Sequence, residues 1–216
     1  MLQEKHYYKH MKRLILFFMV LLPLQGAIAE SIHCDSTIKL AVIDKYGGLP
    51  KYYDDGSLIS ENYKPKIFHT EFNRSGYFKL TFGVNTPDKI ILNFDGKEAS
   101  TIFERTNSSA DKVNRKSLKS MFDGGAGVTH LLSTVIPPLL FGIRTVWSSP
   151  SVSTTYDVDT NEESIDECKV TFQYLSGTRK TYWIGPNMLI NKVLIERPDS
   201  RGIKKRTINY HNIQME

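Results

Sequence analysis

Residues 66–97 read KIFHTEFNRSGYFKLTFGVNTPDKIILNFDGK. Three short strand-like runs follow one another here. Phe68, Thr70, Phe72 and Arg74 fall at every second position and so share one face of a strand. Phe78, Leu80 and Phe82 repeat the alternation after a turn at Ser75-Gly76. Residues 90–94 then run into Asp95-Gly96, a hairpin signal. The alternation therefore sets an arginine beside two phenylalanines. Such a charge either ends its strand at the rim or is kept inside for a purpose.

Working outward, the same grammar continues on both sides. Residues 99–104 pair back across Asp95-Gly96. Upstream, Ser36 or Thr37 caps a helix over residues 38–46, with Ile38, Ala41, Val42 and Lys45 or Tyr46 on one face and Gly47-Gly48 and Pro50 as the stop. Asp54-Asp55-Gly56 reads as a turn into a strand over 57–62. Asn107-Ser108-Ser109 reads as a loop. Residues 116–123 make a short helix with Leu118, Met121 and Phe122 on one side, broken by the glycines between 124 and 127. Residues 128–136 make a second, apolar helix that Pro137-Pro138 ends. Strands return at 153–158, 168–174, 180–184, 189–197 and 206–213, with a turn at Gly185-Pro186-Asn187. Short turns between successive strands imply antiparallel pairing. The fold class is α+β: a large antiparallel sheet with helices against one face.

The N-terminus has the grammar of an export signal. Met11-Lys12-Arg13 is a basic start, residues 14–22 are apolar throughout, and Ala27-Ile28-Ala29 is a cleavage site, with residues 1–10 as an N-terminal extension. The apolar run is short for a membrane span. Cleavage after Ala29 leaves a single domain over 30–216, enough for a real core. The whole chain carries 28 Lys and Arg against 23 Asp and Glu. The leader removes four of the first and one of the second, so the mature balance is 24 to 22 and gives no case for nucleic acid. Cys34 and Cys168 can pair in an oxidising compartment or remain two thiols.

Catalytic and metal-binding patterns are missing. His33, His69, His130 and His211 fall in no ligand spacing; His69 points to the solvent face and His130 packs in the apolar helix. There is no nucleophile elbow, and the glycines at 124–127 lack the Lys-Ser/Thr of a phosphate loop. Asp157, Asp159, Asn161 and Glu162 begin like a calcium loop, but Glu162 and Cys168 stand where it needs Gly and Glu. Lys204-Lys205-Arg206 reads as the guard of an edge strand. What remains is apolar surface on the sheet and in the segment containing Leu131, Leu132, Leu139 and Leu140. Its residues either pack as a plain core or leave a groove between sheet and helices.

Phe72-Asn73-Arg74-Ser75-Gly76-Tyr77-Phe78-Lys79-Leu80, with Ile91-Leu92-Asn93-Phe94-Asp95-Gly96-Lys97, resembles the lipoprotein-localisation proteins of the LolA/LolB-like superfamily. Tyr53-Asp54-Asp55-Gly56 before the first strand and Trp183-Ile184 in the second meander extend the likeness; Ser75 departs from it, standing where the family has proline. The resemblance implies an incomplete antiparallel β-barrel, a strongly curved sheet whose concave face is covered by helices. It implies a periplasmic, monomeric, non-catalytic carrier that takes acyl chains of lipoproteins or other lipids and meets membrane donor and acceptor proteins, without cofactor. Phe68, Phe72, Phe78, Leu80, Phe82, Leu131, Leu132, Leu139 and Leu140 would line the cavity, and Arg74 would latch the lid. The alternative is a sensor of the same fold that signals to a protein partner.

Overall fold

The computed structural model describes residues 33–105, 108–115 (backbone), 118, 122, 134–143, 147, 153–159 and 167–216. The segment expected to be a leader, the glycines at 124–127, His130, Leu131, Leu132 and Asn161-Glu162 lie outside the described residues.

Helix α1 spans Ile38–Gly48. Strands β1 (Lys51–Ser60), β2 (Lys66–Asn73), β3 (Tyr77–Phe82), β4 (Lys89–Phe94), β5 (Ala99–Arg105) and β6 (Ser108–Arg115) form the first meander. A short helix, α2 (Ile136–Leu140), precedes the second meander. That meander comprises β7 (Ser153–Asp159), β8 (Glu167–Gln173), β9 (Arg179–Ile184), β10 (Ile190–Asp199) and β11 (Gly202–Met215). All eleven strands form one antiparallel sheet in the order β6-β5-β4-β3-β2-β1-β11-β10-β9-β8-β7. The two meanders are thus sewn together by β1 against β11, where Ser57 faces Asn209 and Ser60 faces Arg206. The end strands β6 and β7 do not meet, so the curved sheet is a barrel left incomplete.

Alternation decides which face is inner. Tyr52, Asp54, Gly56 and Leu58 of β1 are buried, and so are Phe68, Thr70 and Phe72 of β2 and Phe78, Leu80 and Phe82 of β3. Register stacks them: Phe68 faces Phe82, Phe72 faces Phe78, and Leu80 faces Leu92. Burying each large apolar chain contributes about 1.5–3 kcal/mol. From the other meander Val170, Phe172, Tyr182, Val193 and Ile208 join the same core. Ile38, Val42 and Tyr46 of α1, and all of α2, close over it.

Three expectations are corrected. Asp54-Asp55-Gly56 is no turn; β1 runs straight through it. Gly56 is required there by space, since a Cβ would sit 2.1 Å from Phe68 Cζ and 2.6 Å from the Asn209 carbonyl oxygen. Pro137-Pro138 does not end a helix. It lies in the first turn of α2, where a missing N–H costs no hydrogen bond. Residues 108–115, read in part as a loop, are strand β6, paired with β5 from Ala99↔Arg115 onward.

Candidate functional site

The concave face is an aromatic floor. Phe68, Phe72, Phe78, Leu80 and Phe82 are all buried on it, as parity requires. Its cover comes from the connection between the meanders. Leu139 and Leu140 of α2 are buried. The Phe141 ring, next along, meets Phe72 at 5.2 Å, Phe78 at 5.7 Å and Phe94 at 5.8 Å, edge on, and Phe122 at 5.5 Å. Trp147 performs the same service on the other half, at 5.1 Å from Phe172 and 4.7 Å from Tyr182. The described cover is therefore seated on the floor.

Arg74 sits in the turn just after β2 rather than on the inner face with Phe68 and Phe72, and it is largely exposed. Its guanidinium nevertheless turns back over the rim. Nε donates to the Leu49 carbonyl at 2.9 Å, and Nη2 donates to the carbonyls of Tyr46 at 3.3 Å and Leu140 at 3.2 Å. These acceptors lie at the C-terminal ends of α1 and α2. Helix ends leave carbonyls without intrahelical partners and carry partial negative charge. One cation thus caps both helices, while the Arg74 N–H donates to the Pro50 carbonyl at 2.8 Å and fixes the turn. Cys34, just upstream of α1, is bonded to Cys168 of β8, so α1 is pinned at both ends.

The residue that sequence reading missed is Asp54. Its carboxyl is buried on the concave face. The Tyr52 hydroxyl donates to Oδ2 at 2.7 Å, whereas Oδ1 meets no donor within hydrogen-bond distance. Burial pushes the Asp54 carboxyl up to about 7, offset in part by Tyr52 and by Thr70, its partner across β2. Tyr46, whose oxygen accepts from the Ile190 N–H at 3.0 Å, lies 5.8 Å from the Tyr52 ring and is likewise pushed up by burial. The signal was present in the alternation Tyr52, Asp54, Gly56, Leu58, but Asp-Gly masks it.

On the convex side, His69 is half-buried rather than open to solvent. Its Nδ1 lies 2.8 Å from Asp55 Oδ1 and its Nε2 3.5 Å from Glu71. The His69 contact and the Asn212 amide, which donates to Asp55 Oδ2 at 3.2 Å, hold the Asp55 carboxyl below its usual range. This cleft of about 330 Å³ is lined, among the described residues, by Tyr53, Asp54, Asp55, His69, Asn212, Ile213 and Gln214, with no Ser, Thr or Cys. Among the described residues no group of three His, Cys, Asp or Glu could hold a metal ion.

No family model matches the chain, and no curated protein matches it. Among solved structures it is similar to a LolA superfamily protein, NE2245 from Nitrosomonas europaea. That match has 9% identity and a TM-score of 0.40, over 86% of this chain and 94% of that one. A proposed outer membrane lipoprotein-sorting protein domain from Vibrio parahaemolyticus matches at 9% identity and TM-score 0.30, over 84% and 92% of the two chains. MucB, in its complex with MucA(peri), matches at 8% identity and TM-score 0.22, over 83% and 94%.

Proposed function

We propose that the chain is a non-catalytic carrier, exported to the periplasm by cleavage after Ala29, that holds the acyl chain of a lipid or lipoprotein between the aromatic floor and the α2 cover. One observation carries the reading. The apolar floor is roofed by a five-residue helix whose last carbonyl is held by a side chain at the rim. A plain core does not need its cover on such a separable hook. In this scheme Phe68, Phe72, Phe78, Leu80 and Phe82 receive the acyl chain, Leu139 and Leu140 withdraw, and Arg74 is the latch; Leu131 and Leu132 belong to the same cover by sequence.

Exchange of cover for cargo is a matter of differential affinity. An acyl chain gains about 0.8 kcal/mol per buried CH₂, so a chain of ordinary length competes with a few leucines. Delipidated protein incubated with a fluorescent acyl lipid is expected to retain it, and hydrogen exchange is expected to rise at Gly142 and Ile143, whose amides donate to the Leu139 and Pro138 carbonyls. Retention no greater than that of a control protein of the same size overturns the carrier reading. Stable recovery of one protein partner without lipid favours the sensor alternative.

A further inference from the structure

The sheet has two rims, and they differ. Register places the β1–β2, β3–β4, β8–β9 and β10–β11 turns at one end, opposite the end where Arg74 lies. Each of these four hairpin tips carries a large apolar side chain in solvent. They are Tyr63 (75% exposed), Val84 (45%), Leu175 (100%) and Ile203 (60%). Exposed apolar groups scattered singly need no account, but a row on successive tips does. The tips are neighbours. The Val84 N–H donates to the Ile67 carbonyl at 3.1 Å, tying the β3–β4 turn to the start of β2. Gly177 approaches Pro198 of β10 so closely that a Cβ would lie 3.0 Å from its Cγ.

Between two of the tips runs a basic groove of about 570 Å³, lined by Lys64, Lys66, Arg201, Lys204, Lys205 and Arg206, with Glu61 as its acid. It exists because β11 overhangs β1. The β1–β11 pairing stops at Ser60↔Arg206, while β10 accompanies β11 on to Gly202. Lys204 and Lys205 are partly neutralised by Asp199 and Glu196. Lys64, Lys66, Arg201 and Arg206 form no ion pair among the described residues. The lysine run read from sequence as an edge guard thus belongs to an interior strand whose overhang faces a groove.

We propose that this rim docks the protein on a lipid bilayer bearing anionic phosphate headgroups, the four tips entering the headgroup layer and the groove cations meeting the phosphates. The inference does not depend on the carrier reading. Two observations choose a bilayer over an acidic peptide. The apolar chains are spread over four hairpins across the width of the sheet, which a plane can meet together. A peptide in the groove would touch Tyr63, the one apolar tip that lines it, and leave Val84, Ile203 and Leu175, the most exposed of all, without a role. Charge complementarity selects the anionic surface, since each Lys or Arg near such a membrane strengthens binding by about fivefold.

The test is flotation of the whole protein with vesicles of phosphatidylcholine alone or mixed with phosphatidylglycerol. Binding is expected only to the anionic vesicles, and is expected to vanish at about 1 M salt, where screening reaches about 3 Å. Replacing Lys64, Lys66 and Arg201 by Gln is expected to weaken partitioning about a hundredfold. A second variant, Leu175→Ser with Ile203→Ser, is expected to weaken it at least about tenfold with the salt dependence kept. All forms share one N-terminus, so differences among them belong to the rim, and circular dichroism confirms that each is folded. Equal binding to both vesicle types, or undiminished binding by the charge variant, overturns the proposal. So does soluble polyglutamate binding to a protein that ignores the vesicles, which would assign the groove to an acidic protein.

Discussion

Asp54→Asn should change the pH dependence of stability in a direction fixed by burial. The folded carboxyl keeps its proton to about pH 7, because burial outweighs the Tyr52 and Thr70 hydroxyls beside it. An unfolded aspartate, at its ordinary value of 3.8, has already released it. Between those limits the native state holds one proton more, so stability is full below about pH 4 and lost as pH rises toward 7. One pKa unit corresponds to about 1.4 kcal/mol, which makes the loss across the window about 4 kcal/mol. Asparagine is isosteric, cannot ionise, and can still accept the Tyr52 hydroxyl. Its amide N–H₂ takes the place of Oδ1, which has no donor to lose. Urea unfolding at half-unit pH steps gives the curve, with the slope m checked for constancy. Wild-type stability minus variant stability is expected to fall steadily from pH 4 to pH 7 and then level. The difference also cancels the titration of Asp55, which is common to both forms. A difference curve flat across that window refutes the reasoning, since it would mean that the Asp54 carboxyl sees water.

Arg74→Leu removes three N–H donors from the carbonyls of the buried residues Tyr46, Leu49 and Leu140 and is expected to cost about 1–3 kcal/mol, read as a lower urea midpoint, with faster exchange at Ile143 than at the β2–β3 ladder. Gly56→Ala forces a methyl into the Phe68 ring and the Asn209 carbonyl and is expected to cost about 1–3 kcal/mol in thermal unfolding, with β1–β2 exchange accelerated. Lys180, whose Nζ donates to Thr134 Oγ1 at 3.3 Å, is held down to about 8 by burial; the native state therefore holds less proton than the unfolded one between about pH 8 and 10.5, so stability rises there, and Lys180→Met is expected to abolish the rise. Reducing the Cys34–Cys168 bond opens a loop spanning a sequence separation of 134. It is expected to lower stability by about 4–5 kcal/mol in the chain-entropy limit, measured by urea unfolding with and without reductant.

The first meander was legible where alternation and turn chemistry agreed. Phe68 to Phe82 and Asp95-Gly96 each carry one strong local signal, and the register Phe72↔Phe78 follows from them. It failed where tertiary context overrode a local signal. Asp54-Asp55-Gly56 has turn composition, yet the glycine is there to admit a neighbouring aromatic ring, and no local pattern reports that neighbour. Pro137-Pro138 can open a helix as readily as close one. Strand β6, Ser-Ser-Ala-Asp-Lys-Val-Asn-Arg, has no apolar alternation and owes its conformation to the β5 ladder beside it. The pairing of β1 with β11 joins the two ends of the described chain, a contact that only the completed sheet defines. In the candidate site, the five floor residues were legible by parity. Asp54 was hidden by its turn-like neighbours, and the bend of Arg74 back over the rim was beyond any strand rule.

Arg74 is both a rim residue and an inward-reaching one. Its backbone is at the rim and its guanidinium reaches over it. Two of its three acceptors, Tyr46 and Leu49, belong to the α1 end, which the Cys34–Cys168 bond and the Tyr46–Ile190 hydrogen bond fix to the sheet. The third, Leu140, belongs to α2, a helix with two prolines and no side-chain cap. Under the carrier reading, the latch proposed for Arg74 is therefore asymmetric. If α2 lifts, Arg74 loses one bond and keeps two, so it stays aimed at the place where the cover must return. The cost of lifting is mostly apolar. Exposing Ile136, Leu139, Leu140 and Phe141 at about 2 kcal/mol each comes to about 8 kcal/mol, the gain from burying about ten CH₂ groups. Under the carrier reading, this sets a length threshold: chains much shorter than about ten carbons should leave the cover closed, and longer ones should open it. Arg74→Leu should lower that threshold by one or two carbons, a shift that a series of fatty acyl probes of graded length can measure.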